Sequence, residues 1–357
     1  MEFITWVYLF FIFVSLYGIF LVLLIHVRTH KKFYDDKEPC RQPKISVLIP
    51  AYNEEESIIE TINAIKKVDY PDELKEIIVI DDKSTDNTLN LARHIQCITV
   101  IAKDKNTGKA DALNAGIKQA SGEIIAVTDA DSFPAQDSFN KMIAYFEDPK
   151  VASVTSTILV KEPKNMLERF QAIEYYLIAW GRKVLDNIDS VYVTPGPLSM
   201  YRKSILEKVG GFDINNITED IEIAWKLLKN GHINRMCLLA RVCTKVPSKL
   251  NKWWRQRLRW DIGGLQTMFK YKSSLFKKSE SVFGLFITPR FMISHILSLS
   301  GFFVFLYFSY GHLKAFILRN FYSIVTDANI LEANALHLTP SAFTFFILFL
   351  FVLTFYY

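Results

Sequence analysis

An apolar run that ends in two carboxylates, within residues 124–132, constrains the fold of this chain more than any other feature. Such a run, bounded by polar residues, is typical of a strand buried in a parallel sheet. Open α/β sheets bind ligands beyond the carboxyl ends of their strands, so we expect Asp129 and Asp131 to lie at that edge. Two oxygen ligands there suit Mg²⁺ or Mn²⁺, which can bridge to the phosphates of a nucleotide. Taken alone, the pair is also compatible with an Asp-rich turn.

The apolar residues of this 357-residue chain are concentrated at its two ends. Residues 3–27 are long enough to span a bilayer with some tilt, and they lack the basic start and the small-residue cleavage site of a signal peptide. Arg28, Lys31 and Lys32 follow at once, so the positive-inside rule predicts that the chain after them is cytoplasmic. Residues 291–313 form a second predicted span, and residues 314–339 would be an external loop. Residues 342–357 are either a short third span or the sign of a truncated chain.

The net charge and the spacing of the cysteines indicate the kind of partner and the redox compartment of the protein. The net charge is +5, and Lys and Arg cluster near the apolar segments, which favours a membrane surface over nucleic acid as the partner. The four cysteines have no Cys-x-x-Cys spacing and are typical of free thiols in a reducing compartment.

Between the two ends, residues 44–240 alternate strand-like and helix-like segments. This rhythm predicts a mainly parallel sheet covered by helices. Neither a Gly-x-Gly-x-x-Gly fingerprint nor a Walker loop is present. The predicted strands are 44–50, 76–82, 99–102 and 123–131, and the predicted helices between them are 54–67 and 108–120.

Two aromatic-rich amphipathic segments, 163–187 and 252–272, follow in the chain. Aromatic and basic residues at helical spacing suit helices that lie in a membrane interface. Packing between helices within a soluble domain explains the same pattern equally well.

Four further clusters carry candidate chemistry. Residues 50–54 and Asp81–Asp82 end the first two strands, whose ends meet at one edge of a doubly wound sheet. Helix capping by Asn53 or Asp82 is the alternative, but it would not explain why both appear together. Gly108 permits close backbone approach at the start of a helix, where Lys109 can reach a phosphate.

The other two clusters lie on later helices. Glu219 and Asp220 open a strongly periodic helix, where acids are also ordinary partners of the helix dipole. Gln256, Arg259 and Trp260 share one helix face at i, i+3 and i+4. Arg suits a diphosphate there, and Trp suits the apolar face of a sugar.

Taken in order, Asp82, the Asp-x-Asp at 129–131, Thr218-Glu219-Asp220 and the Gln-x-x-Arg-Trp at 256–260 resemble the motifs of membrane-embedded processive family 2 glycosyltransferases. These are the cellulose, chitin, hyaluronan and poly-N-acetylglucosamine synthases. The resemblance covers about residues 1–315 and implies a GT-A fold, an inverting mechanism and a UDP-sugar donor. The form of the motifs at 217–226 and 256–260 is most similar to poly-N-acetylglucosamine synthases, which favours UDP-GlcNAc.

The resemblance also implies roles for single residues. Asp220 would be the general base, supported by Glu219. Asp131 would bind the metal ion, Mg²⁺ or Mn²⁺. The residues expected to bind the donor are Ala51, Tyr52, Glu54, Asp82, Lys109, Asp129, Gln256 and Arg259. Those expected on the acceptor side are Trp260, Gly196 and Pro197.

The predicted organisation is therefore a membrane helix at 1–28, a cytoplasmic GT-A domain at 40–250, an interfacial region at 251–285 and a C-terminal membrane region at 286–357. The enzyme would lie in the plasma membrane as a multi-pass protein. Its expected partners are a UDP-sugar, a glycan acceptor and the lipid bilayer, and an accessory or export subunit is compatible with this organisation. Two other readings stay open: transfer of one sugar to a lipid or short glycan, and an inactive membrane scaffold.

Overall fold

A computed structural model describes residues 3–34 and 38–326. The chain divides into two compact units. One unit, Leu24–Thr288, holds the whole sheet and the candidate site, and the other contains the described residues before Leu24 and from Pro289 onward. Residues 251–285 lie within the unit of the sheet, and their location at a membrane interface stays a prediction.

The first four strands are parallel and build the half of the sheet that the sequence predicts. These strands are β1 (Ile45–Ala51), β2 (Lys75–Asp81), β3 (Thr99–Ala102) and β4 (Ile124–Val127). They lie in the order β3-β2-β1-β4. Because β4 is buried along its whole length, its apolar run without alternation fits a strand covered on both faces.

The other four strands make the sheet mixed. They are β5 (Ser132–Pro134), β6 (Val151–Val160), β7 (Ser199–Arg202) and β8 (Ile233–Thr244), and they extend the order as β4-β7-β6-β8-β5. β7 is antiparallel to both β4 and β6, β8 is parallel to β6, and β5 is antiparallel to β8. Among these eight strands, β7 and β5 therefore run antiparallel to the other six.

Helices connect the strands. Those of the sheet-containing unit are α2 (Ile58–Lys66), α3 (Thr88–Arg93), α4 (Lys109–Gln119), α5 (Ser138–Ile143), α6 (Met166–Asp186), α7 (Lys203–Lys208), α8 (Glu219–Lys229) and α9 (Leu250–Lys270). A capping box between Asn165 and Glu168 begins α6. The α6 helix packs against β6 and β8.

Several predicted boundaries are wrong. The predicted strand 123–131 ends at Val127, so Asp129 and Asp131 lie in the loop after β4 rather than within a strand. The predicted helix 54–67 begins only at Ile58.

At the two ends of the described chain lie α1 (Phe3–Thr29) and α10 (Thr288–Thr326). Within the described residues, two segments are long and apolar enough to cross a membrane, Ile12–Lys32 and Phe283–Val304. The predicted external loop after residue 313 is wrong as far as residue 326, because α10 continues to Thr326. The predicted third span at 342–357 lies outside the described residues.

Candidate active site

The register of the sheet brings the candidate residues to one edge. Ala51 pairs with Asp81 at the ends of β1 and β2, and the Thr128 amide donates to the Leu48 carbonyl at the end of β4. Val127 also pairs with Ser199, the first residue of antiparallel β7. The loop before β7 therefore reaches the same edge as the Asp-x-Asp pair, although its strand runs the other way.

Asp82 is buried and makes three polar contacts with the protein. Its carboxylate accepts from Lys103 Nζ at 2.6 Å and from the backbone amides of Thr107 at 3.2 Å and Gly108 at 2.8 Å. Gly108 has a φ of +91°, a conformation that glycine adopts without strain. Asp82 thus fixes the turn from which α4 begins and so aims Lys109, while its predicted contact with the donor stays a prediction.

The end of β1 contributes residues of different exposure. Ala51 is buried, whereas Tyr52 is 47 % exposed and free to cover a flat ligand. Glu54 is half-buried and accepts from Ser57 Oγ at 2.8 Å. Burial raises the pKa of Glu54, and the charge of Asp129 adds to the rise.

Lys109 joins two parts of the chain that are far apart in sequence. Its Nζ lies 2.6 Å from Asp129 Oδ1 and 3.0 Å from Glu219 Oε1. Burial alone would lower the pKa of Lys109, but the charges of Asp129, Glu219 and Asp220 outweigh it and raise the pKa. The lysine therefore stays protonated between the Asp-x-Asp loop and the start of α8.

Gly196 closes over this ion pair. The Asp129 amide donates to the Gly196 carbonyl at 3.1 Å. A Cβ on Gly196 would lie 2.6 Å from Asp129 Oδ1 and would also collide with Lys109 Nζ. Only glycine therefore allows the Pro195–Pro197 backbone to lie this close to the charged pair.

Asp131 stands at the end of the same loop with few partners. Its Oδ1 is 3.3 Å from both Ser132 Oγ and Thr244 Oγ1, and no ion pair with Asp131 is present among residues 3–34 and 38–326. Burial raises the pKa of Asp131 to about 6, and the charges of Asp129 and Glu54 raise it further. Carboxylates gathered in this way disfavour their own ionised form, which a cation would reverse.

A metal ion would fit here only with help from a ligand. In the described part of the chain, no group of three or more His, Cys, Asp or Glu side chains is placed to hold one. Mg²⁺ is commonly held by one or two carboxylates together with substrate phosphates. The chemistry of Asp131 and its acidic neighbours fits that mode of binding.

Asp220 lies in the first turn of α8, facing the same cluster. The loop before β7 holds its backbone, because the Thr194 amide and hydroxyl donate to the Asp220 carbonyl at 3.3 and 3.0 Å. Burial raises the pKa of Asp220 to about 6 and Glu219 adds to this, while Lys109 and Arg259 oppose it. A carboxylate with this pKa is ionised near neutral pH and still basic enough to accept a proton.

The face predicted on α9 is only partly directed at Asp220. Arg259 is exposed, and its charge acts on Asp220. Gln256 Oε1 is buried and has no hydrogen-bond partner, and Trp260 is half-buried. The ring of Trp260 stacks with the guanidinium of Arg257, 4.2 Å away.

Four residues near the candidate site were not predicted from the sequence as site residues. Arg257 Nη2 binds Glu174 Oε2 at 2.6 Å, which ties α9 to α6. Tyr175 and Arg182 lie on α6, and their pKa values respond to Asp131 and to Asp220, respectively. A spacing of seven residues places Tyr175 and Arg182 on one helix face, but the sequence does not indicate which face of α6 packs against the sheet.

Three comparisons identify the family. Residues 46–210 match the model of glycosyl transferase family 2. The chain is 33 % identical to the poly-beta-1,6-N-acetyl-D-glucosamine synthase of Staphylococcus aureus (strain COL) over 279 residues, which is 76 % of this chain and 67 % of that protein. It is 32 % identical to the probable glycosyltransferase YdaM of Bacillus subtilis (strain 168) over 301 residues, 77 % of this chain and 71 % of that protein. The chain therefore belongs to glycosyl transferase family 2, and it is a glycosyltransferase.

A solved structure supports the fold. The mannosyltransferase PcManGT from Pyrobaculum calidifontis, in complex with GDP-Man and Mn²⁺, matches with a TM-score of 0.62. The match covers 98 % of this chain and 97 % of that chain at 23 % identity. The α/β fold with a GT-A-like sheet expected from the sequence is thereby confirmed.

Proposed function

We propose that this glycosyltransferase transfers a sugar, with inversion, from a UDP-sugar to the growing end of a β-linked polysaccharide at a membrane. UDP-GlcNAc is the proposed donor, because the motif forms and the likeness to a poly-beta-1,6-N-acetyl-D-glucosamine synthase agree. One observation carries the proposal: Lys109 Nζ contacts both Asp129 and Glu219. The carboxylate loop and the helix of the base therefore share one cleft.

On the donor side, Tyr52 is exposed to cover the base, and Lys109 and Arg259 offer positive charge to a diphosphate. Ala51, Glu54, Asp82, Asp129 and Gln256 complete the proposed donor site. Asp131 would hold Mg²⁺ or Mn²⁺, which when bound supplies positive charge at the leaving diphosphate.

On the acceptor side, Asp220 removes the proton of the attacking hydroxyl. Its pKa of about 6 leaves it ionised at pH 7, and Glu219 keeps Lys109 beside it. Trp260 and the backbone at Gly196 and Pro197 would contact the acceptor sugar. Transfer then needs a hydroxyl near Asp220 and an anomeric carbon held by the donor-side residues.

The membrane location is supported by exposed apolar stripes on two helices of the sheet-containing unit. The stripe of α6 consists of Met166, Phe170, Ile173 and Leu177, and that of α9 consists of Leu250, Trp254, Leu258, Ile262 and Phe269. The two helices are joined to each other by the ion pair between Glu174 and Arg257. Exposed contiguous apolar surface of this kind is typical of a lipid interface.

A substrate panel tests the proposal. Membranes that contain the protein are incubated with radiolabelled UDP-GlcNAc, UDP-glucose or UDP-glucuronate and Mg²⁺ or Mn²⁺, and both UDP release and product length are measured. We expect UDP release and a long product from UDP-GlcNAc. A product with one added sugar would instead favour single transfer to a lipid or short glycan, and no UDP release from any donor would favour a scaffold.

Asp220→Asn tests the base. General-base catalysis contributes about 10²- to 10⁴-fold, so we expect transfer to fall by that factor while UDP binding is unchanged. The control is Asp72→Asn, because Asp72 is exposed and pairs with Lys75, three residues further along the chain. Near-normal turnover of Asp220→Asn would show that another group is the base.

A further inference from the structure

The loop that carries Asp129 and Asp131 has its backbone fixed at several points. The Asp129 amide is tied to the loop before β7, and the Ala130 carbonyl accepts from the buried Thr61 hydroxyl at 2.7 Å. The Ser132 amide closes a turn on the Asp129 carbonyl at 3.1 Å. The backbone on either side of Asp131 is therefore held in place, and the direction of its carboxylate depends on what contacts the side chain.

A hydroxyl from β8 reaches this side chain from 113 residues further along the chain. It belongs to Thr244, the last residue of β8, whose Oγ1 lies 3.3 Å from Asp131 Oδ1. Thr244 is buried, and it pairs with Ser132 of β5 on one side and with Val160 of β6 on the other. Two neighbouring strands thus fix the position from which this hydroxyl is presented.

A second hydroxyl completes a small buried network. Ser132 Oγ lies 3.2 Å from Thr244 Oγ1 and 3.3 Å from Asp131 Oδ1. Each hydroxyl has one proton to donate, so a consistent arrangement runs from Ser132 to Thr244 and from Thr244 to the carboxylate. Bonds in such a chain polarise and strengthen one another. Because each distance is longer than the usual value of about 2.7 Å, the carboxylate depends on both hydroxyls together.

The two oxygens of the Asp131 carboxylate differ in their surroundings. Both hydroxyl contacts fall on Oδ1, whereas no hydrogen bond or ion pair between described residues uses Oδ2. Asp131 itself is half-buried, while Ser132 and Thr244 are buried. The buried network therefore holds one oxygen on the protein side and leaves the other for a ligand.

We propose that Thr244, together with Ser132, is a positioning residue for the metal ion: it holds Oδ1 of Asp131 so that Oδ2 binds Mg²⁺ or Mn²⁺. The inference rests on the proposed function and adds to it two hydroxyls that act only through Asp131. Groups that hydrogen-bond a ligating carboxylate fix its direction, and loss of one typically lowers metal affinity by about 10- to 100-fold.

The test measures Mn²⁺ affinity rather than turnover. The full chain in detergent is titrated with Mn²⁺ at saturating UDP, and free Mn²⁺ is followed by its electron paramagnetic resonance signal. We expect Thr244→Val, which keeps the branched shape but loses the hydroxyl, to raise the Mn²⁺ Kd by about 10- to 100-fold. Thr244→Ser keeps the hydroxyl and should restore a Kd close to that of the wild type. UDP affinity in the presence of EDTA should be the same in all three proteins.

Thr157→Val is the matched control. Thr157 lies on β6, is as buried as Thr244, and donates through Oγ1 to the Leu238 carbonyl of β8 at 2.8 Å. Both valine variants lose a hydroxyl contact to the same strand, so both should lower the thermal unfolding midpoint. Only Thr244→Val should weaken Mn²⁺ binding, because only Thr244 contacts Asp131.

A Mn²⁺ Kd for Thr244→Val equal to that of the wild type would overturn the inference. So would an equal rise in Thr157→Val, because the effect would then come from general loosening of the sheet. If Thr244→Val does not fold, Ser132→Ala decides by the same measurement, with a raised Kd expected and an unchanged Kd contradicting the proposal. Wild-type protein that binds Mn²⁺ with UDP but releases UDP from no UDP-sugar would overturn the proposed function alone.

Discussion

Lys109 shows how one side chain can organise an active site. Its ammonium group neutralises Asp129 on one side and Glu219 on the other, and Gly196 leaves just enough room for it. Asp131 lies beyond the reach of this cation, and its pKa is accordingly raised by burial and acidic neighbours. Lys109 thus neutralises the carboxylates beside the proposed base, whereas Asp131 has no such partner among the described residues, as its proposed role as the metal ligand requires.

The charges around Asp220 predict how activity depends on pH. The base must be ionised, so turnover at saturating donor and metal should fall as the pH drops through about 6. Glu219 raises this pKa, so Glu219→Gln should move the acidic limb to lower pH. Lys109 lowers it, so Lys109→Met should move the limb to higher pH.

The measurement is the pH dependence of kcat for both variants and the wild type. The acidic limb must move to lower pH in Glu219→Gln and to higher pH in Lys109→Met. Loss of fold or of donor affinity would lower kcat in both variants but would not move the limb in opposite directions. If both variants moved the limb the same way, Asp220 would not be the group that titrates.

At the scale of elements, the contact between α8 and α9 sets the distance from the base to the Gln-x-x-Arg-Trp helix. Asn216 Nδ2 donates to Thr267 Oγ1 at 2.9 Å, and the Ile217 amide donates to Gln266 Oε1 at 3.1 Å. Buried Glu222 accepts from Tyr271 Oη at 2.8 Å, at the end of α9. These hydrogen bonds hold the two helices together beside the candidate site.

Gly263 is the closest point of this contact, and Gly263→Ala should damage it. A Cβ there would lie 2.7 Å from Thr218 Cβ and closer still to the rest of the Thr218 side chain, two residues before Asp220. Gly181→Ala in α6 is the matched control, because nothing lies within 4 Å of its added methyl. Both changes gain about 1 kcal/mol of helix propensity, but overpacking costs about 1–3 kcal/mol only at Gly263.

We expect Gly181→Ala to keep or raise the thermal unfolding midpoint, and Gly263→Ala to lower it together with kcat. Equal midpoints for the two variants would mean that α9 can shift away from Thr218 without cost. The junction would then not position Asp220.

The sequence allows the first half of the fold to be predicted, together with the edge at which the candidate site residues lie, because local patterns determine both. Apolar runs mark β1, β2 and β4, and the polar residues just after these runs, Asp82, Asp129 and Asp131, mark the functional edge. The second half depends on pairings between distant segments. Nothing local indicates that β7 runs antiparallel between β4 and β6, or that it thereby brings Gly196 to Asp129.

The sequence does not predict which face of α6 packs on the protein, for a similar reason. Its aromatic residues occur on both faces, so the pattern alone fits either a lipid surface or protein packing. The structure shows both: Phe170 and Leu177 are exposed, while Glu174 binds Arg257. The contacts of buried Lys183 with Asp186 and the Met236 carbonyl fix which side of the helix packs on the sheet.

At the scale of the whole molecule, the apolar segment near the start of the chain is not covered by the described protein. Residues Ile12–Lys32 have a mean hydropathy of 2.0, and no part of this apolar window is buried by the described protein. Phe283–Val304, at 1.3, is only partly buried. A long helix that is apolar all round is either a core helix or a membrane span, and the first segment has no core around it.

We therefore expect the full chain to remain in the membrane pellet after washes with high salt and alkaline carbonate, and to be released only by detergent. High salt would remove a protein held by Lys and Arg alone, because charge attraction to lipid is screened, whereas apolar insertion persists. As an internal control, Trp254→Ser with Leu258→Ser weakens only the stripe of α9 and should leave the pelleted fraction unchanged. Release of the unaltered chain by carbonate would show that neither segment spans the bilayer, and the polymer-forming reaction would then have to be placed away from it.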